Sequence, residues 1–398
     1  MNMTGCFLTL KDCKMVKDIN VGIVADWLVA YAGAERVIKE FIDLYPSSEL
    51  YSVVDFLSEE ARKNFQNKNA QTTFIQKFPS SKTKYQKYLP FMPLAIEQLD
   101  VSSHDVILSS SHAVAKGVLT GPDQLHISYV HSPIRYAWDL QHQYLREANL
   151  NRGLKGIIAK WFLHKIRMWD YRTANGVDHF VANSKFIARR IKKVYGRDAD
   201  VIYPPVDVER FTLNEKKDNY YFTASRLVPY KRIDLIVEAF SHMPDKKLLV
   251  IGDGSEMNKI KSKASKNIEI LGYQPNSVMQ EHMKNAKAFV FAAEEDFGIT
   301  PVEAQACGTP VIAYGKGGAL ETVRPLGQDN ATGLFFDKQN VTAIVDAVNK
   351  FEKSIPDLHP VDCRNNALKF SAQRFKDEMG SYIESKWLEF QDVKKIVY

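Results

Sequence analysis

The second half of this chain repeats one arrangement, a short unbroken apolar run followed by a segment with helical spacing. The runs are "YYFTAS", "KLLVIGDG", "IEILG", "AFVFAA", "PVIAYG" and "GLFF", and between them lie "RIDLIVEAF", "SVMQEHMKNA" and "VTAIVDAVNKF". A strand with one face in water alternates apolar and polar residues, and these runs do not. Continuous Val, Ile, Leu and Phe strands between helices require a parallel sheet covered on both faces. The first half reads the same way. "VGIVAD" opens it, "AGAERVIKEFIDLYP" follows with Val37, Ile38, Phe41 and Ile42 at helical spacing, and "ELYSVV", "DVILSSS", "LHISYVH", "HFVANS" and "DVIYPP" are further strands. The expected fold class is therefore α/β, with two Rossmann-like domains.

A length of 398 residues accommodates two such cores. The expected division is a leader at 1–19, a first domain at 20–212, a second at 213–375 and a C-terminal helix at 376–398 packing back toward the first. The polar stretch "LNEKKDN", Leu213 to Asn219, is the candidate linker. The N-terminal "MNMTGCFLTLKDCKMVKDIN" carries charges on both sides of Met15 and reads as a disordered leader rather than a signal peptide, with Met15 as an alternative start. Cys6, Cys13, Cys307 and Cys363 have no zinc-type spacing and are too few for a disulfide scaffold. No apolar run approaches the roughly 20 residues that cross a bilayer. A cytoplasmic protein is expected.

Ligands of open α/β sheets sit beyond the carboxyl ends of the strands, so the residues just after each strand carry the functional signal. Arg226 and Lys231, in "SRLVPYKR" after "YYFTAS", are cations at one strand end. Arg offers a forked contact and Lys a point charge, a pairing that suits a diphosphate. The stretch "EEDFGITPVEAQACGTPVIAYGKGG" places Glu295 and Glu303 eight positions apart. Thr300, Pro301 and Glu303 fit the N-cap, N1 and N3 positions of a capping box, and the same helix N-terminus suits a phosphate. Glycosidases use paired carboxylates as acid and nucleophile; here the capping box favours hydroxyl binding instead.

Four segments together resemble the family 4 glycosyltransferases of the two-Rossmann-domain (GT-B) type: "GAER", "YVHSPIRYAWD", "SRLVPYKRIDLIVEAF" and the Glu-x7-Glu stretch. "VADWL…GAERV" and "YVHSPIRYAWD" look most like a bacterial mannosyltransferase branch of surface polysaccharide assembly, O-antigen included. The resemblance implies two parallel sheets facing across a cleft and transfer with retention of anomeric configuration. It implies Arg226 and Lys231 on the donor diphosphate, Glu303 on the ribose, and Glu295 on the transferred sugar beside the backbone of Phe297, Gly298, Ile299 and Thr300. It also implies His131 near the anomeric centre, Gly33 in a loop facing acceptor and diphosphate, and Gly272 and Tyr273 by the base. The implied donor is GDP-mannose, with a UDP-sugar as the alternative, and the implied acceptor is lipid-linked or an oligosaccharide. No cofactor and no metal are expected. Two departures stand out: Ala32-Gly33 where relatives often have Gly-Gly, and Arg232 where many have Gly after the lysine.

Other signals carry less. "DAD" at Asp198–Asp200 matches a metal-binding triplet of another fold but falls in a polar turn. Cys307 reads as core, "GDG" at Gly252–Gly254 as a turn that borders a nucleotide or is structural, His126 and His164 as structural, and His112 as a residue on the acceptor side. Residues 151–197 hold twelve Lys/Arg and two Asp, a net +10, against a whole-chain charge of +6. A nucleic-acid or anionic-polymer binder is the rival reading, and the strand-end motifs argue against it. Within "LKGIIAKWFLHKIRMWDYR", Leu154, Ile157, Ile158, Trp161, Phe162, Met168 and Trp169 share an arc of roughly 140°. Burial inside the first domain is the default expectation. Contact with an anionic membrane at the inner face of the cell is the alternative, with "KTKYQKYLPFMPL" as a second contact.

Overall fold

The computed structural model describes residues 19–397. The leader, Met1, Met15, Cys6 and Cys13 lie outside the described residues. The chain divides into two compact units, one of residues 19–183, 187–202 and 376–397, the other of 184–186 and 203–375.

The first unit is built on seven parallel strands: β1 Val21–Ala25, β2 Glu49–Ser52, β3 Gln71–Thr72, β4 Val106–Ser111, β5 Leu125–Val130, β6 His179–Ala182 and β7 Asp200–Val201. Their order is β3-β2-β1-β4-β5-β6-β7. The strand order reverses between β1 and β4, which pair from Val21 with Val106 to Ala25 with Ser110. Every residue of β1, β4 and β5 is buried. Helix α1, Gly33–Leu44, follows β1 and buries Val37, Ile38, Phe41 and Ile42, the four expected positions.

The second unit holds six parallel strands: β8 Tyr221–Ala224, β9 Leu248–Ile251, β10 Ile268–Gly272, β11 Ala288–Phe291, β12 Val311–Tyr314 and β13 Gly333–Phe336. Their order is β10-β9-β8-β11-β12-β13, with the reversal between β8 and β11. The unbroken apolar runs have a direct explanation. Ala288 and Val290 of β11 enter one core with Ile236, Phe240, Ile344 and Val348, while Phe289 and Phe291 enter another with Met283, Val302 and Ala306. Alternate side chains point to opposite faces, and helices cover both.

"LNEKKDN" belongs to the second unit. Lys217 Nζ donates to Lys284 O at 2.8 Å, Cys307 O at 3.0 Å and Thr309 Oγ1 at 2.9 Å, and Asn214 N donates to Cys307 O at 3.1 Å. The stretch is polar because its side chains satisfy backbone carbonyls of this unit, not because it spans a gap. Its residues lie past the change of unit at 202–203.

Helix α2, Gly153–Thr173, departs most from expectation. Leu154 is 73% exposed, Ile157 65%, Ile158 47%, Trp161 55% and Met168 54%. The buried face is the opposite one, with Ile166, Asp170 and Thr173. A polar network anchors it: Lys116 Nζ donates to Asp170 Oδ1 at 2.5 Å and Thr173 Oγ1 at 3.1 Å, and Asp170 Oδ2 accepts from Trp138 Nε1 at 2.7 Å and Tyr195 OH at 3.0 Å. Periodicity selected the apolar stripe, but the side that packs is held largely by polar groups. Of the seven residues, Phe162 and Trp169 are half-buried, Trp169 donating to Glu97 Oε1 at 2.7 Å.

Candidate active site

In the second unit Arg226, Lys231 and Glu295, three of the residues expected at the donor, lie beyond the ends of β8 and β11, where the strand order reverses. β8 ends at Ala224, and a short 3-10 turn, Pro229–Lys231, brings Lys231 back over the strand end. β11 ends at Phe291 and leads to Glu295. Lys231 Nζ and Glu295 Oε1 form an ion pair whose side chains are 15% and 19% exposed. Arg226 lies in the loop between β8 and that turn, exposed, with Nη2 donating to Tyr230 OH at 3.2 Å. A shielded lysine–glutamate pair beside an exposed arginine presents both signs of charge at one strand end.

The loop of Glu295 is braced from β12. Gly318 N donates to Glu295 O at 2.8 Å. A Cβ on Gly318 would lie 2.3 Å from Phe297 Cα, and one on Gly317 would lie 2.3 Å from Glu295 O. The terminal "GKGG" of the motif is thus a backbone-to-backbone contact that fixes Glu295. Phe297 buries its ring against Tyr203 and Phe370, at 5.8 and 5.4 Å between ring centres, leaving its backbone to shape the site.

The helix after this loop runs Ile299–Ala306, and its N-cap is Gly298, with φ of 86° and no side-chain capping bond. The expected capping box is absent. Thr300 and Pro301 occupy the second and third helical positions and Glu303 the fifth, two positions past the one from which a capping-box glutamate reaches the N-cap. Glu303 is 4% exposed. Capping therefore does not explain its carboxylate. Gly272 closes β10 and its carbonyl accepts from Gly252 N at 2.9 Å, while Tyr273 beside it is exposed. Gly252 is glycine for a local reason: a Cβ there would meet Ser225 O at 1.8 Å. The "GDG" turn packs on the Arg226 loop. Arg232 has φ of 55° and caps helix Ile233–Ser241, a left-handed backbone that glycine adopts without strain.

In the first unit, Gly33 is the first residue of α1, and Ala32 is extended, with φ of −136°. Alanine is therefore unstrained there. Ala32 N donates to Glu35 Oε2 at 3.1 Å. His131, just past β5, pairs through Nε2 with Ser110 Oγ at 2.8 Å. Burial, then the charge on His112, push its pKa down to about 3, so the ring is neutral.

Beside it is a pair that sequence reasoning did not assemble. Asp26, just past β1, accepts from His112 N at 2.6 Å, Ala113 N at 3.0 Å, Val114 N at 2.5 Å and Ala115 N at 2.7 Å. His112 Nδ1 lies 2.9 Å from Asp26 Oδ2. Burial opposes the charge of Asp26, yet His112 and the backbone N–H groups hold it down at about 2. Burial also opposes a charged His112, but the Asp26 carboxylate outweighs it and lifts the imidazole above its ordinary value. Both residues directly follow strands at the β1/β4 reversal, the signal that finds them.

The minor signals resolve as structural. Asp198 pairs with Lys192 at 2.8 Å and Asp200 Oδ2 accepts from Tyr382 OH at 2.8 Å. His126 is buried between Ser109 Oγ at 2.8 Å and Gly176 O at 3.1 Å, and burial holds it at about 4. His164 is the exception: expected to be structural, it is exposed on α2. Cys307 and Cys363 are buried free thiols, each pushed up to about 12 by burial. Among the described residues, no group of three or more His, Cys, Asp and Glu is placed to hold a metal.

Residues 31–210 match the family described as Glycosyltransferase Family 4, and residues 206–370 match Glycosyl transferases group 1. The chain is 33% identical over 196 residues to the GDP-mannose-dependent monoacylated alpha-(1-6)-phosphatidylinositol monomannoside mannosyltransferase of Corynebacterium glutamicum, 42% of this chain and 50% of that one. It is 31% identical over 193 residues to an uncharacterized glycosyltransferase of Methanocaldococcus jannaschii, 47% of this chain and 53% of that one. The matches span about half the length of these curated relatives. Among solved structures, Anabaena HepE in complex with UDP has a TM-score of 0.69 at 15% identity, covering 92% of this chain and 100% of that chain. Sucrose-phosphate synthase from Thermosynechococcus elongatus has a TM-score of 0.70 at 15% identity, covering 93% and 100%. The fold is that of the GT-B glycosyltransferases, and the chain carries a Glycosyltransferase Family 4 region followed by a Glycosyl transferases group 1 region.

Proposed function

We propose that this chain is a retaining glycosyltransferase that moves mannose from GDP-mannose onto a lipid-linked or oligosaccharide acceptor in surface polysaccharide synthesis. The observation that carries it is the Lys231–Glu295 pair with Arg226 at the β8/β11 reversal. In this reading, donor binding exchanges partners: Lys231 and Arg226 turn to the diphosphate, and Glu295 accepts from hydroxyls of the sugar. The buried Glu303 accepts from the ribose. The bond from the anomeric carbon to the diphosphate breaks as the acceptor oxygen bonds on the same face. The departing diphosphate oxygen takes the acceptor's proton. Negative charge grows on that diphosphate, where prepositioned cations lower the barrier most. With the cations in that place, the reaction is proposed to need no metal and no cofactor.

The relative from Corynebacterium supports mannose and the guanine nucleotide. The test is heat stabilisation by GDP-mannose, with UDP-glucose and UDP-N-acetylglucosamine as competitors. A clearly larger shift with GDP-mannose is expected; a larger shift with a UDP-sugar overturns the donor assignment. Turnover unchanged by EDTA is expected, and turnover lost to EDTA and restored by magnesium overturns metal independence.

A membrane-bound acceptor is supported by α2. Its exposed stripe is flanked by exposed Arg152, Lys155 and Lys160 and interrupted by exposed Lys165, whose Nζ lies over the Trp161 ring. Tryptophan and aliphatics ringed by lysine suit the head-group layer of an anionic bilayer. Phe91 and Leu94, in the segment expected as a second contact, are further exposed apolar side chains. No helix among the described residues is long and apolar enough to cross a membrane, so the proposed attachment is peripheral, at the inner face of the cell membrane.

A further inference from the structure

The first unit has a reversal point of its own, between β1 and β4, and the charged groups there are not explained by packing. Asp26 is fully enclosed and receives four backbone N–H groups, so its carboxylate is a fixed anchor. His112 is the group it anchors. Its side chain keeps 30% of its surface open, while Nδ1 is tied to Asp26 and the ring stands edge-on to Trp27 at 4.6 Å. Nε2 points away from that bond, with no hydrogen-bond partner among the described residues. A histidine needed only to fill space does not require a buried carboxylate behind it and an open edge in front.

The protonation state selects what this edge can bind. Asp26 faces the ring from the end of β1, Glu35 acts on it from the first turn of α1, Arg135 from the segment after β5, and neutral His131 lies 6.2 Å away between ring centres. Burial raises Glu35 as well. The balance lifts His112 above its ordinary value, which favours the protonated ring, in which Nε2 carries a hydrogen and cannot accept one. A general base is thereby disfavoured. An oxyanion is favoured, because a charge-assisted N–H···O⁻ bond is worth about twice a neutral one. Arg135 brings a second positive charge to the same end of the sheet, and the start of the twelve-residue helix α1 adds its dipole.

We propose that His112 contacts a phosphoryl oxygen of a ligand at the β1/β4 reversal, with Asp26 as its positioning residue. The shared chemistry is a phosphate or diphosphate oxyanion, carried either by a lipid-linked acceptor or by the nucleotide sugar. This rests on the glycosyltransferase reading only for those two sources.

The experiment follows the His112 ring by carbon-13 NMR in the full chain with Arg226→Ala and Lys231→Ala, which removes the diphosphate contacts proposed for the second unit. His112→Gln assigns the signal. The signal is expected to titrate above the ordinary histidine range, and to move with inorganic pyrophosphate. His112→Gln should weaken pyrophosphate binding about five- to tenfold with little change in melting temperature. A larger response to farnesyl diphosphate than to GDP identifies the lipid-linked source, and the reverse identifies the donor. A ring neutral at pH 7, or one that pyrophosphate, farnesyl diphosphate and GDP all leave unmoved, overturns the proposal. If His112→Gln fails to fold, glutamine at each of the nine other histidines in turn assigns the His112 signal by elimination, and its titration stays decisive. Heat stabilisation by GDP-mannose in chains with intact Arg226 and Lys231 reports on the donor reading separately.

Discussion

The two sheets reverse their strand order in the same way, and each places a charged pair where the reversal opens. In the second unit the pair is Lys231–Glu295, partly shielded and flanked by Arg226. In the first it is His112–Asp26, with the carboxylate enclosed and locked by backbone N–H groups. A salt bridge with both partners partly open can trade partners with a ligand. One whose anion already has five donors cannot, and only its cation is left to act. The second unit therefore carries an exchangeable pair and the first a fixed one.

Removing the exchangeable cation should have the largest effect. Lys231→Ala is expected to lower turnover about 10²-fold or more, as loss of a charge-assisted contact that strengthens in the transition state, with little change in melting temperature. Near wild-type turnover would erase the distinction between the pairs.

A smaller effect is expected at α2. Trp161→Glu should reduce co-flotation with phosphatidylglycerol vesicles about tenfold, while phosphatidylcholine vesicles bind neither form well. Equal binding of both forms to phosphatidylglycerol would remove α2 as the membrane face.

The smallest is a shift in acid stability, and it belongs to the first unit. His126 and His131 sit at about 4 and about 3 when folded, against 6.5 unfolded. As pH falls through 6.5, the unfolded chain takes up protons that the folded chain refuses, so stability declines toward pH 4. Asp26 has the opposite window, its contribution present above 3.8 and lost only as pH falls toward about 2. His112 is raised, so its contribution is complete below 6.5 and fades at higher pH. Calorimetry from pH 7 to 5 should show a melting temperature lower by several degrees. A rise over that range would mean the buried histidines are not the neutral groups described.

The same contrast governs what was legible in the sequence. Strands β8 to β13 could be read directly, because sheets buried on both faces leave unbroken apolar runs, as Ala288 to Phe291 does. Arg226, Lys231 and Glu295 were legible because they lie close after such runs. Asp26 and His112 obey the same rule, but 85 residues separate them, and only the β1–β4 register brings them together. Glu303 was misplaced by two positions because Gly298 in a left-handed conformation starts the helix earlier than Thr300. Helix α2 was misread because periodicity marks an apolar stripe without saying which side faces protein. The buried side there is organised by Lys116 and Asp170, which no apolar pattern detects.

The buried thiols make the second unit its own clock. Cys307 and Cys363 both lie in that unit, and pKa values near 12 leave almost no thiolate at neutral pH even if reagent reached them. Alkylation must wait for local opening. With Cys6 and Cys13 changed to serine, the labelling rate would count openings around helix Ile299–Ala306 and helix Pro360–Leu368, where the two sulfurs sit. A nucleotide bound against the Glu295 loop would slow the Cys307 clock, just beyond the helix that loop begins, more than the Cys363 clock.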